Sequence, residues 1–471
     1  MTPDANGATC GVDGYQEFLA RKAARAPMRG LATVPAMSSN LFPFQAQCVE
    51  FLLRIGSGGL FLDTGLGKTI CELEWCAHAA AASNGRALIL TPLAVAHQIR
   101  REAERFGYQA RVIRQQSDAG DGINICNYDR LDLLNPAAFG AVALDESSIL
   151  KSFGGKTTTK LIDTFRDHRW KIAATATPAP NDHMELGTHA EFLSVMASNE
   201  MLSRFFINDT STASQKWRIK GHAERPFWDW LASWSRMAKL PSDLGPFSDD
   251  GYVLPPLNVV QHKAENSNID ADTDLADMFG AVNMSATNLH DVKRRTITNR
   301  ADVVAGLVDA EPAEAWVIWC DTDYESSALA DAVTGAVEIK GSQSIEVKEE
   351  RIARFLDGDA RYVICKPSMM GYGLNLQHAA RMVFAGRSYS YETYYQAVRR
   401  CWRFGQKRQV DVHLVIAEGE NEIGRVIDRK AEDHGKMKSA MAAAMRRAVG
   451  QSSETKIAYN PTFSGRLPTW L

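Results

Sequence analysis

The sequence predicts an α/β protein with two lobes, each built on a parallel β-sheet, and a mainly helical insertion between them. The chain has 471 residues, which is too long for a single hydrophobic core. Short apolar segments alternate with helical segments in two separate blocks, and this alternation is typical of parallel sheets covered by helices on both faces. The pattern breaks between residues 199 and 300, as expected of an insertion or a linker.

The individual elements follow from the same alternation. In the first block we expect strands at residues 60–63, 87–91, 123–127, 141–145 and 171–174, and helices at 94–106 and 156–165. In the second block we expect strands at 315–320, 337–340, 362–366, 382–385 and 410–416, and helices at 324–333, 347–356 and 391–402. Residues 420–449, rich in alanine and basic residues, predict a further helix. The chain is thereby divided into a leader (1–40), a first lobe (41–198), an insertion or linker (199–300), a second lobe (301–430) and a C-terminal helix with a tail (431–471).

The composition is that of a globular protein, and it carries no overall basic signal. Hydrophobic residues make up 45% and charged residues 23% of the chain, and the net charge is −3, from 53 basic and 56 acidic residues. Any nucleic-acid surface must therefore come from local patches. None of the eight cysteines forms a C-x-x-C pair, which suits a reducing cytosol. No apolar run is long enough to span a bilayer, so we expect a cytoplasmic protein that has no membrane partner.

The insertion combines basic and aromatic residues. Aromatic residues at helical spacing usually face a core, whereas basic residues interleaved with aromatic ones can form a nucleic-acid surface. Both interpretations apply together if the basic residues lie outside a core made by Trp217, Trp228, Trp230 and Trp234. On an extended segment, Lys216, Arg218 and Lys220 would face one side and could follow a phosphate backbone. The alternative is a solvated surface strip.

The strongest local motif is a glycine-rich loop between a strand and a helix, Thr64-Gly65-Leu66-Gly67-Lys68-Thr69. Glycines let backbone N–H groups turn towards phosphate oxygens, and the helix N-terminus favours negative charge. Lys68 would contact the β- and γ-phosphates, and the Thr69 hydroxyl would hold Mg²⁺. The strict motif has glycine where Leu62 stands, so the alternative is a glycine turn with an incidental lysine.

Two further motifs follow in the first block. The apolar strand at 141–145 ends in Asp145 and Glu146, which suit Mg²⁺ binding and polarisation of an attacking water. The alternative is a solvated acidic turn. Thr175-Ala176-Thr177-Pro178 ends the next strand, either as a plain turn or as a segment that couples nucleotide state to lobe closure.

The second block has two candidate motifs of its own. Residues 371–376, which include Gly373 and Asn375, form a glycine loop after a buried strand, and glycines there would let the backbone approach a phosphate. Arg400 and Arg403 share one face of a helix and suit a triphosphate as arginine fingers. The alternatives are a plain glycine loop and a basic helix surface.

In this order the motifs resemble those of the superfamily 2 helicases, and most of all the Swi/Snf-type translocases of double-stranded DNA. The resemblance runs from about Leu41 to about Ile416 and implies two RecA-like lobes that bind ATP and Mg²⁺ between them. It is carried by Pro43-Phe44-Gln45, the glycine loop, Thr91-Pro92-Leu93, Asn127-Tyr128, Asp145-Glu146 with Lys151, the 175–178 segment with Asn181, residues 371–376, and Gln396, Arg400, Arg403, Gly405 and Gln406, whose R-x-G-Q ending is characteristic of the Swi/Snf branch.

The resemblance also implies roles for single residues. Gln45 would recognise adenine, and Gly373 would approach ATP from the second lobe. Thr175, Thr177 and Gln396 would couple the ATP state to lobe closure. Nucleic acid would be contacted by Thr91, Pro92, Asn127, Tyr128 and Asn375. The acidic pair is followed here by Ser147-Ser148 where the family usually has Ala-His, so we expect the coupling of the ATP state to the second lobe to run differently. The short chain resembles a bacterial or phage member.

Three functions remain possible at this stage. The first is a DNA-stimulated ATPase that moves along duplex DNA. The second is a helicase that separates strands of DNA or RNA. The third is a nucleic-acid-binding protein without motor activity, against which the presence of Lys68, Glu146 and Arg403 argues. A role in replication, recombination or restriction is left open, as are the corresponding protein partners.

Overall fold

A seven-stranded parallel sheet forms the centre of the first lobe in the computed structural model, which describes residues 26, 28–92, 95–152, 154–209, 216–264, 286–370, 375–386, 388, 390–417 and 421–453. The strand order is β3-β4-β2-β5-β6-β1-β9, and every neighbouring pair is parallel. The strands are β1 (Ser57–Leu62), β2 (Arg86–Thr91), β3 (Ala110–Val112), β4 (Gly122–Asn127), β5 (Ala141–Asp145), β6 (Trp170–Ala174) and β9 (Ser235–Ala238).

Helices cover this sheet on both faces, which is why its central strands are mainly apolar. Strands β1, β5 and β6 are buried at every position. The helices are α1 (Pro43–Ile55), α2 (Lys68–Ala81), α3 (Ala96–Phe106), α4 (Lys156–Thr164), α5 (Glu185–Phe192), α6 (Ser198–Phe205) and α7 (Glu224–Trp234), and an antiparallel hairpin of β7 (Phe206–Asp209) and β8 (Lys216–Ile219) lies between α6 and α7.

The second lobe has a six-stranded parallel sheet of order β10-β15-β14-β11-β13-β12. Thr322 and Ser390 cap two of its helices, since each side-chain oxygen accepts a hydrogen bond from a backbone N–H of the first turn. The elements are β10 (Leu257–Ala264), α8 (Ala286–Ala310), β11 (Trp316–Trp319), α9 (Asp323–Ala332), β12 (Val337–Ile339), α10 (Ile345–Leu356), β13 (Tyr362–Cys365), α11 (Pro367–Met370), β14 (Arg381–Phe384), α12 (Tyr391–Cys401) and β15 (Val410–Ala417).

The two-lobed α/β fold is confirmed, and each of the ten expected strands is present to within a few residues. Residues 199–300 contribute more to the sheets than the sequence indicated. Strand β9 is the edge strand of the first sheet beside β1, and β10 is the edge strand of the second sheet beside β15. Both edge strands lie in the segment where the alternation breaks, so periodicity gave no signal for them.

The tryptophans of this segment pack inside the protein. Trp228, Trp230 and Trp234 are buried, and they belong to the core of the first lobe rather than to a core of their own. The rings of Trp230 and Trp234 lie 5.4 Å apart. The core interpretation of these aromatic residues is therefore correct, and none of the three offers a stacking face to nucleic acid.

A C-terminal helix, α13 (Asn421–Ser453), connects the lobes a second time. It follows the last strand of the second sheet, yet Met437, Met441 and Met445 are buried in the core of the first lobe. Near its end Arg446 pairs with Asp243 at 3.1 Å, and Arg447 pairs with Asp229 at 2.6 Å. The expected helix at 420–449 is confirmed, and it holds the two lobes together. Within the described ranges, no helix has both the length and the apolar surface needed to cross a bilayer.

Candidate active site

The glycine-rich loop runs from the end of β1 to the start of α2. Gly65 and Gly67 have φ angles of 95° and 80°, a region that residues with a Cβ rarely adopt. Gly67 is also the residue that precedes the first turn of α2. The loop thus has the strand–loop–helix arrangement in which backbone amides and a helix N-terminus bind phosphate.

Lys68 lies at the first position of α2, and carboxylates surround it. Its Nζ donates a hydrogen bond to the carbonyl oxygen of Leu62 at 3.1 Å. Burial lowers the pKa of this ammonium group, while Glu146, Asp63 and Asp145 act in the opposite direction. The cation is therefore close to the acidic pair at the end of β5, as the phosphate-loop hypothesis requires.

Asp145 is buried at the end of β5 and is held by hydrogen bonds on both sides. The Thr91 hydroxyl donates to its carboxylate at 2.7 Å, and the Tyr128 hydroxyl donates to its backbone oxygen at 2.7 Å. Burial, followed by the neighbouring Glu146, raises the pKa of Asp145, and Thr91 and Lys68 oppose that shift. This carboxylate needs a cation nearby to remain ionised.

Glu146 has an unusual backbone, with φ 51° and ψ 52°. A left-handed conformation costs a residue with a side chain about 1–2 kcal/mol, and such strain is often found at functional sites. The Thr175 hydroxyl donates to the Glu146 carboxylate at 3.4 Å and accepts from the Thr177 backbone N–H at 3.1 Å. The 175–178 segment is therefore in direct contact with the acidic pair.

Gln45 joins the start of α1 to the phosphate loop. Its side-chain amide donates to the Leu66 carbonyl at 3.0 Å and accepts from the Phe42 backbone N–H at 2.9 Å. Phe42 is exposed beside it. Gln45 is thus fixed at the edge of the phosphate loop.

Both lobes contribute to one cavity of about 440 Å³. From the first lobe it receives Gln45, the loop with Lys68 and Thr69, and the acidic pair Asp145 and Glu146. From the second lobe, the cavity is lined by Arg400 in the last turn of α12 and by Arg403 and Phe404, which follow that helix. Arg400 also donates to the Gln396 side chain at 3.1 Å. The structure therefore brings together residues that lie more than 300 positions apart in the chain.

Aromatic residues at this cavity were not identified from the sequence. The rings of Tyr252 and Phe404 lie 4.5 Å apart, and Tyr252 also contacts Phe44 at 5.6 Å. Tyr252 belongs to the connection between the two sheets, a segment that carries no recognisable motif. Only the three-dimensional structure shows that this connection borders the cavity.

Some residues expected to contact nucleic acid have structural roles instead. Thr91 is fully buried, and its hydroxyl serves Asp145, so its assignment to a nucleic-acid surface is wrong. Tyr128 is half-buried and its hydroxyl donates to the Asp145 backbone oxygen, and Pro92 is also half-buried. The Asn127 Oδ1 atom is buried without a hydrogen bond to any described residue.

The remaining expected contacts lie apart from the cavity. Arg218 and Asn375 are exposed, and the Asn375 side chain accepts from the Gln377 backbone N–H at 3.2 Å. Lys220 donates to the carbonyl oxygens of Ser203 and Arg204 at 2.8 Å and 3.3 Å, at the end of α6. It is therefore engaged in helix capping. Lys216 is the first residue of β8, and Gly373 and Leu93 lie outside the described residues.

The fold and the shared cavity define the class of protein as one with two RecA-like lobes. The second lobe gives more specific information, because residues 300–405 match the family model of the helicase conserved C-terminal domain. The predicted resemblance to helicases is confirmed for that lobe. The chain is also similar to the SWI2/SNF2 ATPase core of Sulfolobus solfataricus, solved in complex with double-stranded DNA, at 16% identity and a TM-score of 0.40 over 89% of this chain and 97% of that one. None of the curated proteins that were compared matches the chain.

Proposed function

We propose that the protein is an ATP-dependent motor that moves along duplex DNA. The observation that carries the proposal is the single cavity in which Lys68 and the acidic pair of one lobe meet Arg400 and Arg403 of the other. A site divided between two lobes couples hydrolysis to lobe movement, because ATP holds the lobes together and its products release them.

Each group at the cavity has a part in phosphoryl transfer. Lys68 neutralises charge on the β- and γ-phosphates, and the backbone around Gly65 and Gly67 binds their oxygens. Glu146 orients the attacking water and accepts its proton. Arg400 and Arg403 stabilise the charge that develops on the transferred group, and they do so only while the second lobe is in place.

The same cavity suits a magnesium ion. The Thr69 hydroxyl and the Asp145 carboxylate both line it, and oxygen ligands are those that Mg²⁺ prefers. The raised pKa of Asp145 also supports a magnesium ion here, because a neighbouring cation would stabilise the ionised form of this buried carboxylate. Magnesium supplies further charge neutralisation of the phosphates.

Movement on duplex DNA is supported by the R-x-G-Q ending of the last motif, at Arg403, Gly405 and Gln406, and by the helicase domain of the second lobe. Gln406 donates to the carbonyl oxygen of Gln377 at 2.8 Å. The R-x-G-Q ending is therefore hydrogen-bonded to the segment that contains Gln377. The competing activity is strand separation on DNA or RNA. A third possible function is nucleic-acid binding without ATP hydrolysis.

One set of assays separates these functions. We expect phosphate release to be stimulated more by duplex DNA than by single-stranded DNA or RNA, and expect the protein to displace the third strand of a DNA triplex in the presence of ATP. The Lys68→Ala variant provides the background. Unwinding of a forked duplex without triplex displacement would favour a helicase. Stimulation by RNA alone, or no hydrolysis under any condition, would overturn the proposal.

A further inference from the structure

Asp63, the residue between β1 and the phosphate loop, receives three side chains from outside the first lobe. Its Oδ1 atom accepts from the Tyr395 hydroxyl at 2.6 Å and lies 3.0 Å from Lys438 Nζ and 3.3 Å from Arg399 Nη2. Tyr395 and Arg399 belong to α12 of the second lobe, and Lys438 belongs to α13. Three separate parts of the chain thus meet at one carboxylate.

The same groups hold the backbone of the loop. Arg399 Nη2 donates to the carbonyl oxygen of Thr64 at 2.8 Å, and the Thr64 N–H donates to Asp63 at 2.7 Å. Lys438 also donates to the Tyr395 hydroxyl at 2.6 Å, which closes the network. The backbone of Thr64, immediately before Gly65, is therefore held at its N–H and at its carbonyl by groups that lie on, or are bound to, α12 and α13.

The network is buried, and its charges depend on one another. Asp63 is 9% exposed and Arg399 is 5% exposed. Burial alone would raise the pKa of Asp63, but Arg399, Lys438 and the Tyr395 hydrogen bond outweigh it, and the pKa lies well below its usual range. Removing one member of such a network leaves its buried partners uncompensated.

The position of Lys438 follows from the packing of α13. Met437 and Met441, on either side of it in the sequence, are buried in the core of the first lobe. The ring of His434, one turn earlier, contacts both Tyr391 and Tyr395 of α12. Helix α13 thus packs on both the first lobe and α12. Lys438 lies between these two contacts, and its side chain extends to Asp63 beside the phosphate loop.

We propose that Tyr395, Arg399 and Lys438 are positioning residues that set the conformation of the phosphate loop through Asp63 and Thr64. The C-terminal helix is then part of the nucleotide-binding machinery, although it contributes no residue to the cavity. The inference rests on the proposed ATPase function. It follows that the loop is preorganised for phosphates only while α12 and α13 are docked on it.

The test measures nucleotide affinity in the full chain. We expect Lys438→Met to raise the dissociation constant of a fluorescent ADP analogue, and the KM for ATP, by about tenfold, while kcat at saturating ATP stays within about twofold. Tyr395→Phe, which removes a single hydroxyl, should raise both by about threefold or more. Lys438→Arg, which keeps the charge, should restore binding.

Lys436→Met is the matched control. Lys436 is exposed on the same helix and pairs at 2.7 Å with Glu432, one turn away, so its loss should leave nucleotide binding unchanged. If Lys438→Met and Tyr395→Phe bind nucleotide like the wild type, and only their denaturation midpoints fall, the network merely stabilises the fold and the inference is wrong. Should Lys438→Met fail to fold, Tyr395→Phe decides. Failure of the proposed function would appear in the wild type itself, as absence of nucleotide binding or hydrolysis.

Discussion

Replacing Gly65 by alanine should separate two effects at the phosphate loop, backbone strain and obstruction of the second lobe. Gly65 has φ 95°, and a Cβ at this position would lie 2.8 Å from the Phe404 Cβ and 3.1 Å from the Phe404 backbone nitrogen. Phe404 belongs to the second lobe, directly after Arg403. The added methyl group would therefore sit where the lobes make contact.

The size of each effect can be worked out from the structure. A left-handed backbone costs an alanine about 1–2 kcal/mol. Carbon atoms normally approach to about 3.5–4 Å, so a contact at 2.8 Å forces the segment around Phe404 to move. Overpacking of this kind costs about 1–3 kcal/mol. If that energy opposes lobe closure, ATP hydrolysis should fall by about 5- to 150-fold.

Gly85→Ala supplies the matched control. Gly85 has φ 85° but no atom within 4 Å of an added Cβ, so it carries the backbone strain without the obstruction. We expect both variants to lose the stability that backbone strain costs, and only Gly65→Ala to lose hydrolysis. In a double-mutant cycle, Phe404→Gly should recover part of the activity of Gly65→Ala, with a coupling energy of about 0.5–3 kcal/mol.

Two results would refute this reasoning. Wild-type hydrolysis by Gly65→Ala would mean that the lobes do not need the contact between the loop and Phe404. An equal loss of hydrolysis in Gly85→Ala would mean that general destabilisation, rather than obstruction at the lobe interface, explains the effect.

Four further predictions concern the candidate site and its surroundings. Lys68→Ala should abolish ATP hydrolysis, and Glu146→Gln should still bind ATP without cleaving it; near-normal hydrolysis by both variants would show that the site is assigned wrongly. Arg403→Ala should lose turnover by about 10³-fold or more and ATP affinity far less, whereas equal losses in rate and binding measurements would indicate a ground-state contact. Lys220→Ala should lower the free energy of unfolding by about 1 kcal/mol or more, because two carbonyl groups at the end of α6 lose their donor; a flatter salt dependence of DNA binding with unchanged stability would instead return Lys220 to the DNA path. Burial, followed by Lys438, lowers the pKa of His434 to about 3, so its contribution to stability is complete above about pH 6.5 and is lost as the pH falls towards 3. His434→Leu should therefore reduce the loss of unfolding free energy between pH 6.5 and 4, measured by urea denaturation, by roughly 3 kcal/mol at most, and the same pH dependence in both proteins would contradict the assignment.

The sequence predicts the central strands well because they are buried on both faces. A parallel strand such as β5 has an unbroken apolar run that ends at Asp145, so its limits, 141–145, could be given without error. The edge strands β9 and β10 were missed for the opposite reason. Strand β9 has only four residues, one of them an arginine, and β10 is exposed at most positions on one side.

The residues of the candidate site also differ in how well the sequence predicts them. Lys68, Asp145, Glu146 and Arg403 could be predicted as site residues because each proposed role needs a particular residue type at a fixed place after a strand or on a helix, and all four line one cavity. Thr91 was misassigned, since a hydroxyl at the end of a strand suits a surface contact and an internal hydrogen bond equally well. Lys438 could not be found, because no local pattern signals which lysine of a long basic helix turns inwards to a carboxylate 375 positions earlier in the chain.

The return of α13 to the first lobe has a consequence for biosynthesis. Lobes of a two-domain protein commonly fold one after the other as they leave the ribosome. Here the core of the first lobe includes Met437, Met441 and Met445, so it is complete only after the second lobe and α13 have been made. The nascent first lobe must expose the apolar surface that α13 later covers, and it depends on a contact of very long sequence separation, which slows folding. We therefore expect the newly made protein to become fully protected from proteases in a single late step rather than lobe by lobe.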